Sequence, residues 1–375
     1  MFLNIENKMI KYLNDTNIKK YINRTAFLRI DLNAKKGQEK NFFRLQKVIP
    51  TIKKLIENQS RIIIAAHRGR YNENPPSNKI FQKIIQEKIN KKVAFIKETN
   101  PELIKEKIEK KKTSIILLEN LRMNKNEQSN DIKYAQKLSK LAQFYINDAF
   151  PVCHRKNASV TKITRFLPSF GGLELQKEIE KLTNFKENPQ KPFTLIIGGK
   201  KTKSKLATIK NLWDKIDNLL LGGGPANTFL FERGIDIKNS IYDKNSVKKI
   251  KPFSIADKTF VPVDYKTSDG KILDIGKETS KIYADMIKKS KTIIWNGPMG
   301  LFEKEKFAEG TKKIWNAIVK NQKANTVIGG GETVSSKKLI NKNIPKNVFL
   351  STGGGAMLTF LVDKKMPGIN ALKNE

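Results

Sequence analysis

A chain of 375 residues, 38% of them hydrophobic, exceeds what one ordinary core organises and reads as two domains. Its single cysteine, Cys153, excludes an intramolecular disulfide, and no apolar run approaches the ~18–20 residues of a transmembrane helix. The formal net charge of +37 invites a nucleic-acid reading, but 63 of the 73 basic residues are lysines spread along the whole chain, which argues for surface composition rather than a binding stripe. Specific nucleic-acid binding is therefore not expected, whereas weak adhesion to polyanions at low salt is. The amino-terminal stretch lacks the apolar core of a secretory signal, and a cytoplasmic protein is expected.

Short runs of Ile, Leu, Val and Phe alternate with longer lysine-rich segments of helical periodicity, the pattern of βα units with buried parallel strands. In the first half this predicts strands at residues 26–30, 61–66, 93–97, 114–118 and 144–146. The first runs into Asp31 and Asn33, and the second into His67 and Arg70. The fourth leads to Arg122, and the fifth to Asn147, Asp148, His154 and Arg155. Open parallel sheets bind ligands outside the carboxyl ends of their strands, so these side chains share one rim. The chain has only two histidines and ten arginines; both histidines and Arg70, Arg122 and Arg155 fall on that rim, with Arg44 in the first connection. Arginine kept in a lysine-dominated chain points to its planar fork on phosphate or carboxylate. Any one of them is equally well read as surface charge; the group favours function.

Residues 170–185 have helical spacing after the pair Gly171-Gly172, which suits an interdomain helix with a hinge, although a turn alone also explains the glycines. In the second half, strand-like runs at 193–197, 218–221, 326–328 and 348–350 end in glycine: Gly198-Gly199, Gly222-Gly223-Gly224, Gly329-Gly330-Gly331 and Gly353-Gly354-Gly355. Each precedes a plausible helix start, where glycine lets backbone N–H groups approach a phosphate, though tight βα turns use it too. Neither a P-loop nor a G-x-G-x-x-G fingerprint is present. A further strand at 292–294 leads into Trp295-Asn296-Gly297-Pro298-Met299-Gly300-Leu301-Phe302-Glu303, which is turn chemistry.

Taken in order, Asp31-Leu32-Asn33, His67-x-Gly69-Arg70, Leu118-Glu119-Asn120-Leu121-Arg122, Asn147-Asp148-Ala149-Phe150 and His154-Arg155 resemble the amino domain of phosphoglycerate kinases. Gly198-Gly199-x-Lys201, Lys205, Gly222-Gly223-Gly224-x-Ala226, the string from Trp295 to Glu303, the string from Gly329 to Thr333 and the string from Ser351 to Ala356 resemble the carboxyl domain. The resemblance implies an α/β fold of two Rossmann-like three-layer domains with parallel sheets. Residues 1–169 would bind 3-phosphoglycerate, 170–185 would form the interdomain helix and hinge, 186–355 would bind nucleotide, and 356–375 would return to the first domain.

It also implies reversible phosphoryl transfer between 1,3-bisphosphoglycerate and ADP, giving 3-phosphoglycerate and ATP with Mg2+, in line after hinge closure, by a monomer. Carried over by position, Asp31, Asn33, Arg44, His67, Arg70, Arg122 and Arg155 would hold 3-phosphoglycerate, with Arg44 and Lys205 catalytic. Lys201 and Lys205 would contact nucleotide phosphates, and Leu273, Asn296, Pro298 and Glu303 the adenosine. Gly329, Gly330, Gly331, Glu332, Thr333, Gly353 and Gly354 would complete the phosphate side, with Glu332 on magnesium. Several residues depart from the family pattern. Glu332 stands for the usual aspartate, Asn157 for a second histidine, Pro151-Val152 for a small Gly-Thr pair and Tyr71 for a proline, and the stretch before Leu273 is short. Glu332 and the +37 charge motivate a second reading, a catalytically weakened member acting as a basic nucleic-acid-binding protein.

Overall fold

The computed structural model describes residues 9–13, 19–40 and 42–373. They fall into two compact units, Met1–Ile179 with Lys365–Glu375, and Glu180–Lys364. Among the described residues the first unit carries a six-stranded sheet of β1 (Thr25–Arg29), β2 (Arg61–Ala65), β3 (Val93–Ile96), β4 (Ile115–Leu118), β5 (Phe144–Asn147) and β6 (Ser169–Gly171). Their order is β3-β4-β2-β1-β5-β6, parallel throughout. The central strands are buried along nearly their whole length, as expected where helices cover both faces, so they read as apolar runs rather than alternating ones. The helix Phe43–Glu57 supplies part of that cover through Leu45, Val48, Ile52 and Leu55, spaced three and four apart on one face. Each such buried side chain contributes about 1.5–3 kcal/mol of transfer free energy.

The second unit repeats the plan with β7 (Phe193–Ile197), β8 (Asn218–Leu221), β9 (Thr259–Phe260), β12 (Thr292–Asn296), β13 (Asn325–Gly329) and β14 (Val348–Leu350). Their order is β14-β13-β12-β7-β8-β9, again all parallel. Between β9 and β12 the chain forms an antiparallel hairpin of β10 (Tyr265–Ser268) and β11 (Lys271–Ile275). Trp295 and Trp315, both fully buried with ring centroids 5.0 Å apart, anchor this core.

In each sheet the chain starts centrally and winds outward in both directions. The winding reverses between β1 and β5 in the first unit and between β7 and β12 in the second. Such switch points open crevices at the carboxyl ends of the strands. Asp31 and Asp148 follow β1 and β5; Gly198 and Gly297 follow β7 and β12.

Three local expectations differ from the structure. Residues 169–171 form an edge strand, and the helix begins only at Leu173 and runs to Glu187, crossing the division between units at residue 179. Residues 356–364 stay with the second unit, because helix Gly354–Leu361 packs on helix Lys203–Leu212; the return begins at Lys365. The strands of the hairpin and β9 escaped the sequence pattern because their residues are largely polar and half-exposed. Close packing alone requires glycine at position 172, where a Cβ would lie 2.4 Å from Asp148 Cγ.

Candidate active site

On the first rim, Asp31 leaves β1 and is buried. Its Oδ1 accepts the Asn33 N–H at 2.8 Å and its Oδ2 accepts Arg44 Nη1 at 3.0 Å. Burial works to raise this carboxyl, but Arg44, His67, the Asn33 N–H and Arg29 outweigh it and hold it at about 2. Asn33 turns its Oδ1 to the Gly69 N–H at 2.9 Å, tying the loop after β1 to the loop after β2. His67 is buried among cations. Burial pushes its pKa well below the usual value; Asp31 opposes this, while Arg29, Arg122 and Arg155 add to it, so the ring is neutral.

Arg122 donates through Nη1 to the Gly69 carbonyl, and Asn120 Oδ1 fixes its backbone N–H at 3.0 Å. Burial lowers its pKa to about 10, with Arg155 the next contributor. Arg155 is lowered as well, first by burial. Arg70, Arg122 and Arg155 together line one cavity of about 230 Å³, with Gln128, Lys156 and Asn157. Arg70 is exposed and pairs with Glu73 at 3.0 Å, whereas Arg122 is buried and the charge of Arg155 acts on it.

The structure adds residues that the sequence reading missed. Arg29, the last residue of β1, is 1% exposed. Its Nη2 lies 3.3 Å from His67 Nδ1, its Nε donates to Ser159 Oγ at 2.8 Å, and Glu127 lies 3.7 Å away. Glu127 is itself buried and accepts from Ser159 N and Oγ. The available signal was an arginine inside an otherwise apolar strand, which burial makes costly unless it is paired.

On the second rim, Gly198 and Gly297 face each other across the switch point. A Cβ on Gly297, whose φ is +100°, would lie 2.1 Å from the Gly198 oxygen and 2.6 Å from Lys205 Nζ. Lys205, on the first turn of helix Lys203–Leu212, is buried and donates to the Gly198 carbonyl. Burial lowers its pKa to about 8, against the pull of Glu332. Asn296 Nδ2 donates to the Gly329 carbonyl at 3.0 Å, and the Gly297 N–H donates to Thr333 Oγ1 at 2.7 Å. Gly330, at φ +103°, packs so closely on Gly354 that a Cβ on the latter would meet its Cα at 2.4 Å, bringing the loops after β13 and β14 together. Gly353 donates to Ser351 Oγ at 3.2 Å. The buried Pro298 carbonyl accepts the Gly199 N–H at 2.7 Å, and the Leu273 carbonyl accepts the Leu301 N–H at 2.8 Å. Among the described residues, neither Lys201 nor Glu303 takes part in this network; both are exposed.

One expectation is corrected here. The glycine loops after β7 and β8 do not offer their N–H groups to a ligand, because neighbouring backbone carbonyls already take them. Gly198 donates to Asn296, Gly222 to Ile197, Gly223 to Met299 and Gly224 to Gly199. These glycines let loops stack on one another. Space for a ligand opens instead at Gly331 and Gly355, where a Cβ would meet nothing within 4 Å.

Among the described residues there is no cluster of three or more His, Cys, Asp or Glu side chains that could cage a metal. Magnesium does not need one, since it commonly takes one or two carboxylates, waters and substrate phosphates. The exposed Glu332 carboxylate, whose charge reaches Lys205, fits that role.

Residues 13–364 match the family model described as phosphoglycerate kinase. A phosphoglycerate kinase of Finegoldia magna is 38% identical, with 96% of this chain and 98% of the relative covered. One of Leptospira biflexa is 36% identical over 92% and 95%. Among solved structures, the phosphoglycerate kinase of Pyrococcus horikoshii superposes with a TM-score of 0.82 at 30% identity, covering 97% and 98% of the two chains. That of Coxiella burnetii gives 0.77 at 32%, covering 96% and 98%.

Proposed function

The chain belongs to the phosphoglycerate kinase family, and on that premise we propose which of its residues carry the reaction. The reaction is the family's: reversible phosphoryl transfer between 1,3-bisphosphoglycerate and ADP, giving 3-phosphoglycerate and ATP, by a phosphotransferase with a carboxyl acceptor. Nothing in the comparisons supports the nucleic-acid-binding alternative.

The acceptor carboxylate is ionised at neutral pH, so no general base is needed. What remains is alignment and neutralisation of charge. We assign 3-phosphoglycerate to Asp31, Asn33, Arg44, His67, Arg70, Arg122 and Arg155. The observation that carries this is the cavity shared by Arg70, Arg122 and Arg155. A phosphate there accepts paired N–H donors and offsets both the burial and the neighbouring cations that depress Arg122 and Arg155. Asp31 holds Arg44 at the edge of the rim, where its positive charge can act on the transferring group.

On the second unit, Lys201, Leu273, Asn296, Pro298 and Glu303 are assigned to the nucleotide, with the loops at Gly329, Gly330, Gly331, Glu332, Thr333, Gly353 and Gly354 on its phosphates. Lys205 keeps its charge close to the loops while burial restricts its motion. Magnesium, when bound with nucleotide, neutralises phosphate charge; Glu332 is the carboxylate that would hold it. Because acid and nucleotide are assigned to different units, transfer needs a closing movement about the hinge. We assign a monomer; a cytoplasmic location fits the single cysteine, and no described helix is long and apolar enough to cross a membrane.

The test is a coupled assay of ATP-dependent 1,3-bisphosphoglycerate formation, run with Arg44→Ala, Arg122→Ala and Glu332→Asp. Turnover in the native chain, lost in Arg44→Ala and weakened for 3-phosphoglycerate in Arg122→Ala, supports the assignment. Absence of turnover in both the native chain and Glu332→Asp overturns it.

A further inference from the structure

A cavity of about 980 Å³ in the second unit shares no lining residue with the rim just assigned. It lies between helix Lys277–Lys289 and helix Glu309–Lys320, and each helix turns one line of residues toward it. From the first come Lys277, Lys281, Ala284, Asp285 and Lys288; from the second come Glu309, Lys313, Asn316, Ala317 and Lys320. Steps of three and four keep each line on one helix face. At 1.5 Å per residue the trough runs for about 16 Å. Gly276, Ser280, Ala284 and Ala317 are small and keep its floor open.

Lys266 and Lys342 extend the lining, so seven of its sixteen residues are lysine, against 63 of 375 in the chain. That concentration exceeds what the chain-wide lysine excess supplies. Asp285 and Glu309 offset two of the seven charges. Among the described residues only Lys313 of the seven is in an ion pair, with Glu309 at 3.9 Å. The other six are not within ion-pair distance of a carboxylate, although Lys266 acts electrostatically on Asp274.

The lining also restricts the ligand. It has no arginine, so it offers point charges rather than bidentate forks. It has no aromatic residue, so bases have nothing to stack on. The seven lysines around the trough repel a basic amphipathic helix, and a concave trough does not match a flat bilayer. What fits is a linear, base-free polyanion whose closely spaced negative charges can follow the two rows of lysines. We propose that this trough binds a chain of inorganic polyphosphate.

The test uses the full chain and long-chain inorganic polyphosphate at physiological ionic strength. One variant combines Lys281→Gln, Lys288→Gln, Lys313→Gln and Lys320→Gln. Its control removes the same charge from the first unit through Lys83→Gln, Lys91→Gln, Lys105→Gln and Lys133→Gln, all exposed. The trough variant is expected to bind at least about tenfold more weakly and the control less than about twofold, both keeping native kinase turnover. Equal losses, or no loss in the trough variant, overturn the proposal. Homopolymeric RNA of matched charge competing as well as polyphosphate overturns the choice of ligand. An acetylation footprint on the unsubstituted protein checks the place without any variant. Protection by polyphosphate centred on Lys281 and Lys313 supports the site, and uniform protection over the surface overturns it.

Discussion

Arg29 donates through Nη2 to His67 Nδ1 across 3.3 Å, with both side chains buried behind the first rim. A guanidinium can only donate, so Nδ1 must be the acceptor and the imidazole proton must sit on Nε2. Arg29 therefore sets the tautomer of His67, leaving a neutral ring with Nε2–H as its donor. Arg29→Met should remove this constraint and leave Glu127 buried without its cation, at a cost of about 3–5 kcal/mol. Urea unfolding should show that loss, and Arg29→Met combined with Glu127→Gln should recover part of it. In the folded single variant, the His67 titration followed by NMR should move up toward its ordinary value.

Lys205 predicts an alkaline limb. Its pKa is lowered to about 8 by burial, so the cation is present below that pH and lost above it. The kcat/KM for nucleotide, which reports groups of the free enzyme, should fall with an apparent pKa near 8. Lys205→Arg should abolish that limb while lowering turnover, because the guanidinium does not fit against the Gly198 carbonyl. A native profile flat to pH 10 would show that Lys205 is not the titrating group.

Asp31 and Asp274 should respond to pH in opposite senses. Asp31 falls from 3.8 to about 2 on folding, so its stabilisation is present above pH 4 and is lost as pH drops through 2. The shift corresponds to about 2 kcal/mol, and urea unfolding of Asp31→Asn against the native chain should show a difference of that order at neutral pH that vanishes in acid. Asp274, beside Leu273, accepts the Gly310 N–H at 2.8 Å while its buried Oδ1 has no partner. Burial raises it to about 7, so its ionisation costs stability as pH rises above 3.8. Asp274→Asn keeps the acceptor and should raise Tm at pH 8 but change little at pH 4.

Glycines of the second rim should separate into two kinds. Gly297→Ala forces a Cβ into the Gly198 carbonyl at an unfavourable φ and should cost several kcal/mol, measurable by denaturant unfolding. Gly355→Ala meets nothing within 4 Å and should unfold at the native midpoint. If phosphate approaches that backbone, the same methyl should nevertheless raise the KM for nucleotide severalfold. An unchanged KM would remove Gly355 from the phosphate contacts.

The sequence made the first rim legible because histidine and arginine, which mark it, are rare in this chain. Asp31, Asn33, Arg44, His67, Arg70, Arg122 and Arg155 all emerge from their position after strands or in the adjoining connection. Arg29 stayed hidden because it lies within a strand, where only burial distinguishes a paired arginine from a stray one. Glu127 lay in a polar run that looks like surface, although its carboxylate closes a buried network. The glycine loops were read for what they could offer a phosphate, whereas their hydrogen bonds depend on which loops become neighbours at the switch point. That is a tertiary fact, absent from any local window. β6 was lost for a related reason, since three residues ahead of a helix carry no period of their own.

Cys153 gives this molecule a built-in clock. It is the chain's only thiol, fully buried beside Asn147 and beneath the returning segment, where the Gly368 N–H donates to its carbonyl at 2.8 Å. Burial pushes the thiol up to about 12, so in the closed unit it is neither accessible nor nucleophilic. A thiol reagent can label it only at the rate at which the first unit opens or the segment from Lys365 lifts away. Labelling followed at graded denaturant would therefore read the opening of that unit alone, with no label to engineer and no signal from the other.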